Sequence, residues 1–486
     1  MLALPWGYIL TVVTTIGGYL LTLVLIPRIL LDRRGAEATV AWILLIAFLP
    51  YLGAALYYLF GRTRIRRRRR KMARARAAFQ ESLNRLPEIS GLPDDLFDLS
   101  VLPKTARALA LTAGRLAENA PMPGNRVEVF IDGRPAYESM EEAILTARRH
   151  ISLMSYIYRP DQTGAHFRDL LAQKAGEGVE VRLLVDSFGA FHLGTSFIKP
   201  LIKAGGRFAR FSPVLAWRSH WRANLRNHRK ILVVDGRVGF TGGLNIGDEY
   251  QGRRKRFAPW RDTHLRLEGP AVRDLLEIFA EDWFFASDED LAYPEHFPEV
   301  SPCGPELVQV IGSGPDYDYE IIHQVFFTAI NAARKSIYIT TPYFVPSPAV
   351  LMALKSAVWR GVDVQILLPG RSDMPLVQLA GRSFYEELLE AGIRVYHHRP
   401  GILHAKTMVV DGAWCTIGSA NMDVRSFKLN FEVNVLVWGE SLARRLEEIF
   451  RQDLVNAEAI SDNYLENRSR GARMAEAVGR ALAPVL

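Results

Sequence analysis

The stretch NHRKILVVDGRVGFTGGLN, Asn227 to Asn245, has a near copy in LHAKTMVVDGAWCTIGSAN, Leu403 to Asn421. In each, a histidine and a lysine sit two apart, an aspartate follows five after the lysine, and a glycine-led turn closes on an asparagine. Three further blocks recur in one order: ARRHI (147–151) with ARKSI (333–337), GVEVRLLV (178–185) with GVDVQILL (361–368), and KAGGRF (203–208) with EAGIRV (390–395). A chain that repeats in this way folds as two similar units. Each unit alternates apolar β-branched runs with helix-period stretches such as HFRDLLAQKA and AVLMALKSAVW. That is the pattern of an α/β sandwich. Two such domains are expected, over 126–300 and 301–486, in a pseudo-twofold arrangement, with a helical tail at the end.

HRKILVVD and HAKTMVVD read as strands, on which residues two apart share a face. His228 with Lys230, and His404 with Lys406, are then expected to project in pairs into one cleft. Lysines repel a metal cation but neutralise the oxygens of a phosphate as charge develops. One histidine can attack phosphorus. The other can protonate the leaving oxygen and then deprotonate the acceptor. The glycines of GGLN and GSAN, Gly243 among them, let backbone approach an anion. Asn245 and Asn421 can donate to it, with Ser419 as a supporting group. A reacting imidazole also needs its second nitrogen held. The candidates are Asp262 in WRDTH, 34 after His228, and Glu432 in NFEVN, 28 after His404. Neither motif stands out as the nucleophile, since the two are nearly symmetric. Outside them no Cys, His, Asp or Glu cluster has metal-ligand spacing, so no metal and no cofactor is expected. The two cysteines, Cys303 and Cys415, read as free core thiols.

The front of the chain is of another kind. Residues 6–26 and 40–60 carry no charge, and each 21-residue run is long enough to cross a bilayer as a helix. A two-helix membrane hairpin over 1–61 is expected, then a polybasic segment and partly helical connector over 62–125. The hairpin is partly re-entrant if Pro50 and Gly53 interrupt its second segment, and a signal peptide is the alternative for its first. Residues 61–76 hold ten Lys and Arg and no acid, against a net charge of +8, so the rest of the chain sums to −2. A nucleic-acid binder carries its basic patch on the folded body. Here the positive-inside rule puts the run, with Arg66, Arg67, Arg68, Arg69 and Arg70, at the cytoplasmic headgroups, leaving the 27–39 connector outside. The first half also carries an insertion, PVLAWRSHWRANLR, in which Trp217 and Trp221 read as a headgroup-level loop.

The paired motifs resemble the phospholipase D superfamily. SGPDYDYEIIHQVFFTAINAARKSIYITTPYFVP, GVDVQILLPGRSD and GSANMDVRSFKLNFEVN look more narrowly like bacterial cardiolipin synthases of that type, as do AWILLIAFLPYLGAALYYLFGR and the ALAPVL ending. The likeness runs over essentially the whole chain. It implies that two phosphatidylglycerol molecules give cardiolipin and glycerol without metal or nucleotide. It implies His228 as nucleophile and His404 as acid and base, with Asp235 and Asp411 supporting. It also implies a multi-pass protein of the bacterial inner membrane, catalytic domains on the cytoplasmic side. Its partners would be membrane phospholipids and not nucleic acid, with room for a homo-oligomer. The alternative is a phospholipase D-type hydrolase with water as acceptor. A nuclease or an inactive membrane scaffold fits less well, given the slightly acidic body and the two intact motifs.

Overall fold

The computed structural model describes residues 6–32, 36–57, 65–85, 102–211, 225–254, 256–317 and 319–482. Trp217 and Trp221 lie outside the described residues. Two compact units are present, one within residues 1–71 and one from Met72 onward.

The larger unit is built from two sheets. The first half supplies β1 (Met122–Asp132), β2 (His150–Ser155), β3 (Glu180–Asp186), β4 (Arg207–Phe211), β5 (Arg226–Asn227), β6 (Ile231–Val234), β7 (Val238–Gly242) and β8 (Trp260–Glu268). The second supplies β9 (Glu306–Ser313), β10 (Ser336–Thr340), β11 (Phe344–Val345), β12 (Asp363–Pro369), β13 (Arg394–His398) and β14 (Ile402–Leu403). It continues with β15 (Thr407–Val410), β16 (Trp414–Gly418), β17 (Met422–Asp423), β18 (Asn430–Trp438) and β19 (Ala457–Ala459).

In the first sheet β4, β3 and β2 run parallel, and β6, β7, β8 and β1 follow antiparallel. In the second, β13, β12 and β10 run parallel, and β15, β16, β18 and β9 follow antiparallel. Seven strands follow in the same order in both sheets, as the repeated blocks require, and among the described residues β19 adds an antiparallel edge to β13 in the second sheet alone. β1 pairs with β9 as well as β8 and joins the sheets. Strands this apolar need both faces covered. Ile231, Val233, Leu265 and Leu267 of one sheet share a core with Val433, Val435 and Val437 of the other, together with helices Val272–Ser287 and Glu440–Val455. Helices such as Gln162–Gly176 and Pro348–Trp359 cover the outer faces.

The GVEV and GVDV blocks have a local cause. Gly178 (φ 91°) and Gly361 (φ 85°) lead into β3 and β12 in left-handed backbone that costs glycine least. Two expectations need correction. Helix Lys104–Ala117 is no mere connector: Ala106, Leu109, Ala110 and Ala113 are buried in the core of the second half. Cys303 is exposed, and only Cys415 is a core thiol.

In the smaller unit, helix Trp6–Leu31 is the one helix among the described residues long and apolar enough to cross a membrane. The second apolar run, expected as a second crossing, is two helices, Ala36–Phe48 and Pro50–Leu56. Pro50 cannot donate an N–H to a continuing helix, and Leu49 leaves helical geometry at φ −133° and ψ 69°. The chain then folds back. A Cβ on Gly53 would lie 2.8 Å from Leu45 O, and the Tyr57 ring meets Trp42 at 5.5 Å. One straight helix would hold residues 42 and 57 about 22 Å apart. The Tyr57 hydroxyl donates to Asp32 Oδ2 (2.7 Å), at the end of the first helix. The turn itself sits far along that helix, where Tyr51 donates to Thr14 O (2.7 Å). The five arginines 66–70 lie on the next helix, Ile65–Asn84.

Candidate active site

The two motifs begin with a lock made from the repeated blocks. Asp235 and Asp411 sit in left-handed turns (φ 52° and 57°) after β6 and β15. The Asp235 carboxylate accepts from the backbone N–H of Arg148, Arg149 and His150 at 2.7–2.9 Å. That of Asp411 accepts from Arg334, Lys335 and Ser336 at 2.6–3.0 Å. The ARRHI and ARKSI blocks recur because they are the other side of this turn. Both carboxylates are spent on backbone.

The histidines and lysines precede their strands rather than lying on them: β6 starts after Lys230 and β15 after Lys406. Instead, the short β5 pairs in parallel with β18 of the other half, and β14 with β8. The His228 N–H donates to Phe431 O (2.9 Å) and the His404 N–H to Arg261 O (2.7 Å). Each histidine is thus mounted on the opposite half.

That exchange sets the carboxylates. His228 Nδ1 is 2.9 Å from Glu432 Oε2, and His404 Nδ1 is 2.7 Å from Asp262 Oδ2. Proximity in sequence suggested the reverse pairing; the crossing of β5 and β14 to the far sheets overrides it. Glu432 also accepts from Ser419 Oγ (2.6 Å) and Asn430 Nδ2 (3.0 Å). Asp262 accepts from the Thr263 N–H (2.8 Å) and Trp260 Nε1 (3.4 Å). Gly243 occupies the motif position of Ser419. A Cβ there would lie 1.9 Å from Asp262 Oδ1, so the shorter acid has glycine beside it and the longer one serine.

Each lysine folds back to its own histidine: Lys230 Nζ donates to His228 O and Lys406 Nζ to His404 O. All six groups are buried. Burial pushes His228 down to about 4 against the pull of Glu432, so its ring is neutral at pH 7; burial lowers His404 as well, while Asp262 pulls it back toward the charged form. Burial lowers Lys230 to about 7 and Lys406 to about 8. Burial alone would raise the two acids. His228 and Lys230 outweigh it for Glu432, and Lys406 and His404 for Asp262, so both stay below the ordinary carboxylate range. The charge of Lys406 acts on His228 and Lys230, which places the two motifs in one field.

Asn245 is held within the fold: its Oδ1 accepts from the Ile157 N–H (3.0 Å) and its amide donates to Tyr250 (3.2 Å). Asn421 is buried and its Oδ1 has no partner among the described residues. Aromatic rings that sequence reasoning passed over line the histidines. Tyr156 is 4.9 Å from His228, Trp260 is 5.2 Å and Tyr343 is 6.3 Å from His404, and Tyr343 donates to Asp373 (2.8 Å). The signal was available, since SLMSYIY and YITTPYF follow the repeated blocks.

A family model described as "Cardiolipin synthase, PLD-like domain" matches residues 140–283 and 326–454, more than half of the chain. The chain belongs to the cardiolipin synthase family. Each matched stretch holds one histidine, one lysine and one histidine-holding carboxylate of the site: His228, Lys230 and Asp262 in the first, His404, Lys406 and Glu432 in the second. A second model, "Phospholipase_D-nuclease N-terminal", matches residues 20–62. The cardiolipin synthase of Geobacillus kaustophilus (strain HTA426) is 40% identical over 460 residues, covering 94% of this chain and 90% of that protein. That of Halalkalibacterium halodurans is 38% identical over 463 residues, covering 94% and 91%. Among solved structures, phosphatidylserine synthase of Haemophilus influenzae Rd KW20 superimposes with a TM-score of 0.58 at 16% identity. It covers 79% of this family member and 98% of its own chain, a likeness of fold.

Proposed function

We propose that the chain is a membrane-bound phosphatidyltransferase that joins two phosphatidylglycerol molecules into cardiolipin and releases glycerol. The crossed His–carboxylate pairs carry the reading, together with the near full-length likeness to cardiolipin synthases. With Nδ1–H given to Glu432, His228 presents the Nε2 lone pair. It attacks phosphorus, the P–N bond forms, the bond to the glycerol headgroup breaks, and the leaving oxygen takes the proton of His404. His404 enters this step as an imidazolium held by Asp262 and the bound phosphate and leaves it neutral. A hydroxyl of the second phosphatidylglycerol then attacks phosphorus, its proton returns to His404, and the P–N bond breaks. Lys230 and Lys406 balance the phosphoryl oxygens throughout. One catalytic half lies in 126–300 and the other in 301–486. Purified full-length chain in phosphatidylglycerol vesicles should give cardiolipin and glycerol in equimolar amounts, quantified by mass spectrometry. Phosphatidic acid as the main product would make it a hydrolase.

The lysines give this reading a pH signature. Their free-enzyme values near 7 and 8 mean that the cations are lost as pH rises through that window. His228 gains its proton only near pH 4. The rate constant kcat/KM should therefore be bell-shaped, with an acid limb near 4 from His228. Its basic limb begins where His404, lowered from its ordinary 6.5, loses the proton it must deliver, and is completed as the lysines lose theirs between about 7 and 8. A bound phosphate restores the lysine protons, so the basic limb of kcat should lie higher. A basic limb of kcat/KM at about 10.4, the ordinary lysine value, would contradict the burial argument.

We further propose that the body lies in the cytoplasm and the amino terminus outside. One crossing by Trp6–Leu31 and a second segment that returns to its own side leave the 27–39 connector and the polybasic run on one face. In a Cys303→Ser, Cys415→Ser background, Ala3→Cys should react with an impermeant maleimide on intact cells, and Gly35→Cys only after lysis. The opposite pattern for Gly35→Cys restores two crossings.

A further inference from the structure

Behind the carboxylates lies a second layer that also repeats. Helices Val272–Ser287 and Glu440–Val455 contain EIFAED and EIFRQD, ending on Asp282 and Asp453. Each aspartate holds an arginine. Arg229 Nη1 is 2.7 Å from Asp282 Oδ2. Arg261 is bidentate on Asp453, Nε to Oδ1 at 3.0 Å and Nη2 to Oδ2 at 2.8 Å. Each arginine then donates to the main-chain carbonyl of the acid that holds a histidine: Arg229 Nε to Glu432 O (3.1 Å), Arg261 Nη1 to Asp262 O (2.6 Å). Arg229 also reaches Ser313 O (3.3 Å) and Arg261 reaches Thr263 Oγ1 (3.0 Å).

The two arginines do not come from equivalent places. Arg229 stands between His228 and Lys230, where the other motif has Ala405. Arg261 stands before Asp262 in β8, where β18 has Phe431 before Glu432. The register brings these positions close: Asn227, two before Arg229, pairs with Phe431, Leu403, two before Ala405, pairs with Arg261, and the Arg229 guanidinium lies 5.4 Å from the Phe431 ring. Two different chain positions thus deliver a guanidinium to the same task. A buried ion pair is a weak source of stability compared with apolar groups of the same volume. What it supplies in this layer is a fixed fork against a carbonyl.

We propose that Arg229 and Arg261 are positioning residues that clamp the backbone of Glu432 and Asp262, and so set the reach of each carboxylate to its histidine. The proposal rests on the phosphatidyl-histidine reading above. The decisive test moves the guanidinium. Arg229→Ala should lower kcat by about 10- to 100-fold, the loss that a small misplacement of a catalytic group brings, with KM nearly unchanged. Adding Phe431→Arg to it copies the arrangement of the other half and should recover most of that kcat. Arg229→Ala with kcat within about twofold of the parent overturns the proposal, as does a double variant that melts like the parent yet recovers nothing. If Arg229→Ala does not fold, Arg229→Met keeps the volume without the donors and is judged by the same kcat criterion. Acid-quenched protein separates this from the chemistry beneath it. A parent chain that traps no phosphatidyl group refutes the mechanism, whereas variants that trap it at the parental rate refute only the clamp.

Discussion

Glu432→Gln is expected to lower turnover about 10³- to 10⁴-fold in a chain that still folds, the scale of loss when an amide replaces the carboxylate that fixes a reacting imidazole. The hydrogen bonds around Glu432 say why. Its Oε1 accepts from Asn430 Nδ2, and Oε2 faces His228 Nδ1. A glutamine keeps its oxygen toward the Asn430 amide and turns its own NH₂ toward Nδ1. The imidazole must then carry its proton on Nε2, the atom that should attack. The covalent intermediate on His228 should vanish although the substitution lies in the other half of the chain. Turnover within about tenfold of the parent would mean that Glu432 does not fix the His228 tautomer.

His404→Ala should lower kcat about 10²- to 10⁴-fold, the usual range for a lost general acid, yet leave His228 able to form the phosphatidyl adduct slowly. A donor with a good leaving group needs no proton from His404, so labelled adduct should build up and persist, since the second lipid lacks its base. His228→Ala should give no adduct with any donor. Asp262→Asn should resemble His404→Ala rather than His228→Ala, because Asp262 Oδ2 faces His404 Nδ1. Adduct trapped on His404→Ala and absent from His228→Ala fits this order. The reverse pattern exchanges the two histidines.

Much of the molecule was legible in the residues. Four repeated blocks carried the duplication, and seven strands of each sheet follow it in order, with β11, β17 and β19 added in the second half. The two H-x-K motifs, Asp262 and Glu432 were visible as types and spacings. Their pairing was not, because it depends on β5 and β14, two residues long, crossing to the opposite sheet. No periodicity marks so short a strand. Strand parity also misled for His228 and Lys230, which stand ahead of β6. In the membrane segment, hydropathy counted two runs, but composition has no sign for direction. Pro50 marked an interruption, and only Gly53 against Leu45 and Tyr57 against Trp42 make it a reversal.

The reciprocal mounting of the histidines bears on how such a chain can change over generations. Deleting either copy would remove one histidine and strip the other of its carboxylate, so the two halves can only be inherited together. Yet they need not stay alike. A loss in one copy can be made good by a gain in its neighbour, as Ala405 beside Arg261 and Phe431 beside Arg229 illustrate, and as Gly243 beside Asp262 and Ser419 beside Glu432 do again. Divergence in such a protein should therefore proceed by matched changes across the seam, and a substitution that looks damaging within its own half should be read against the other before it is counted as a loss.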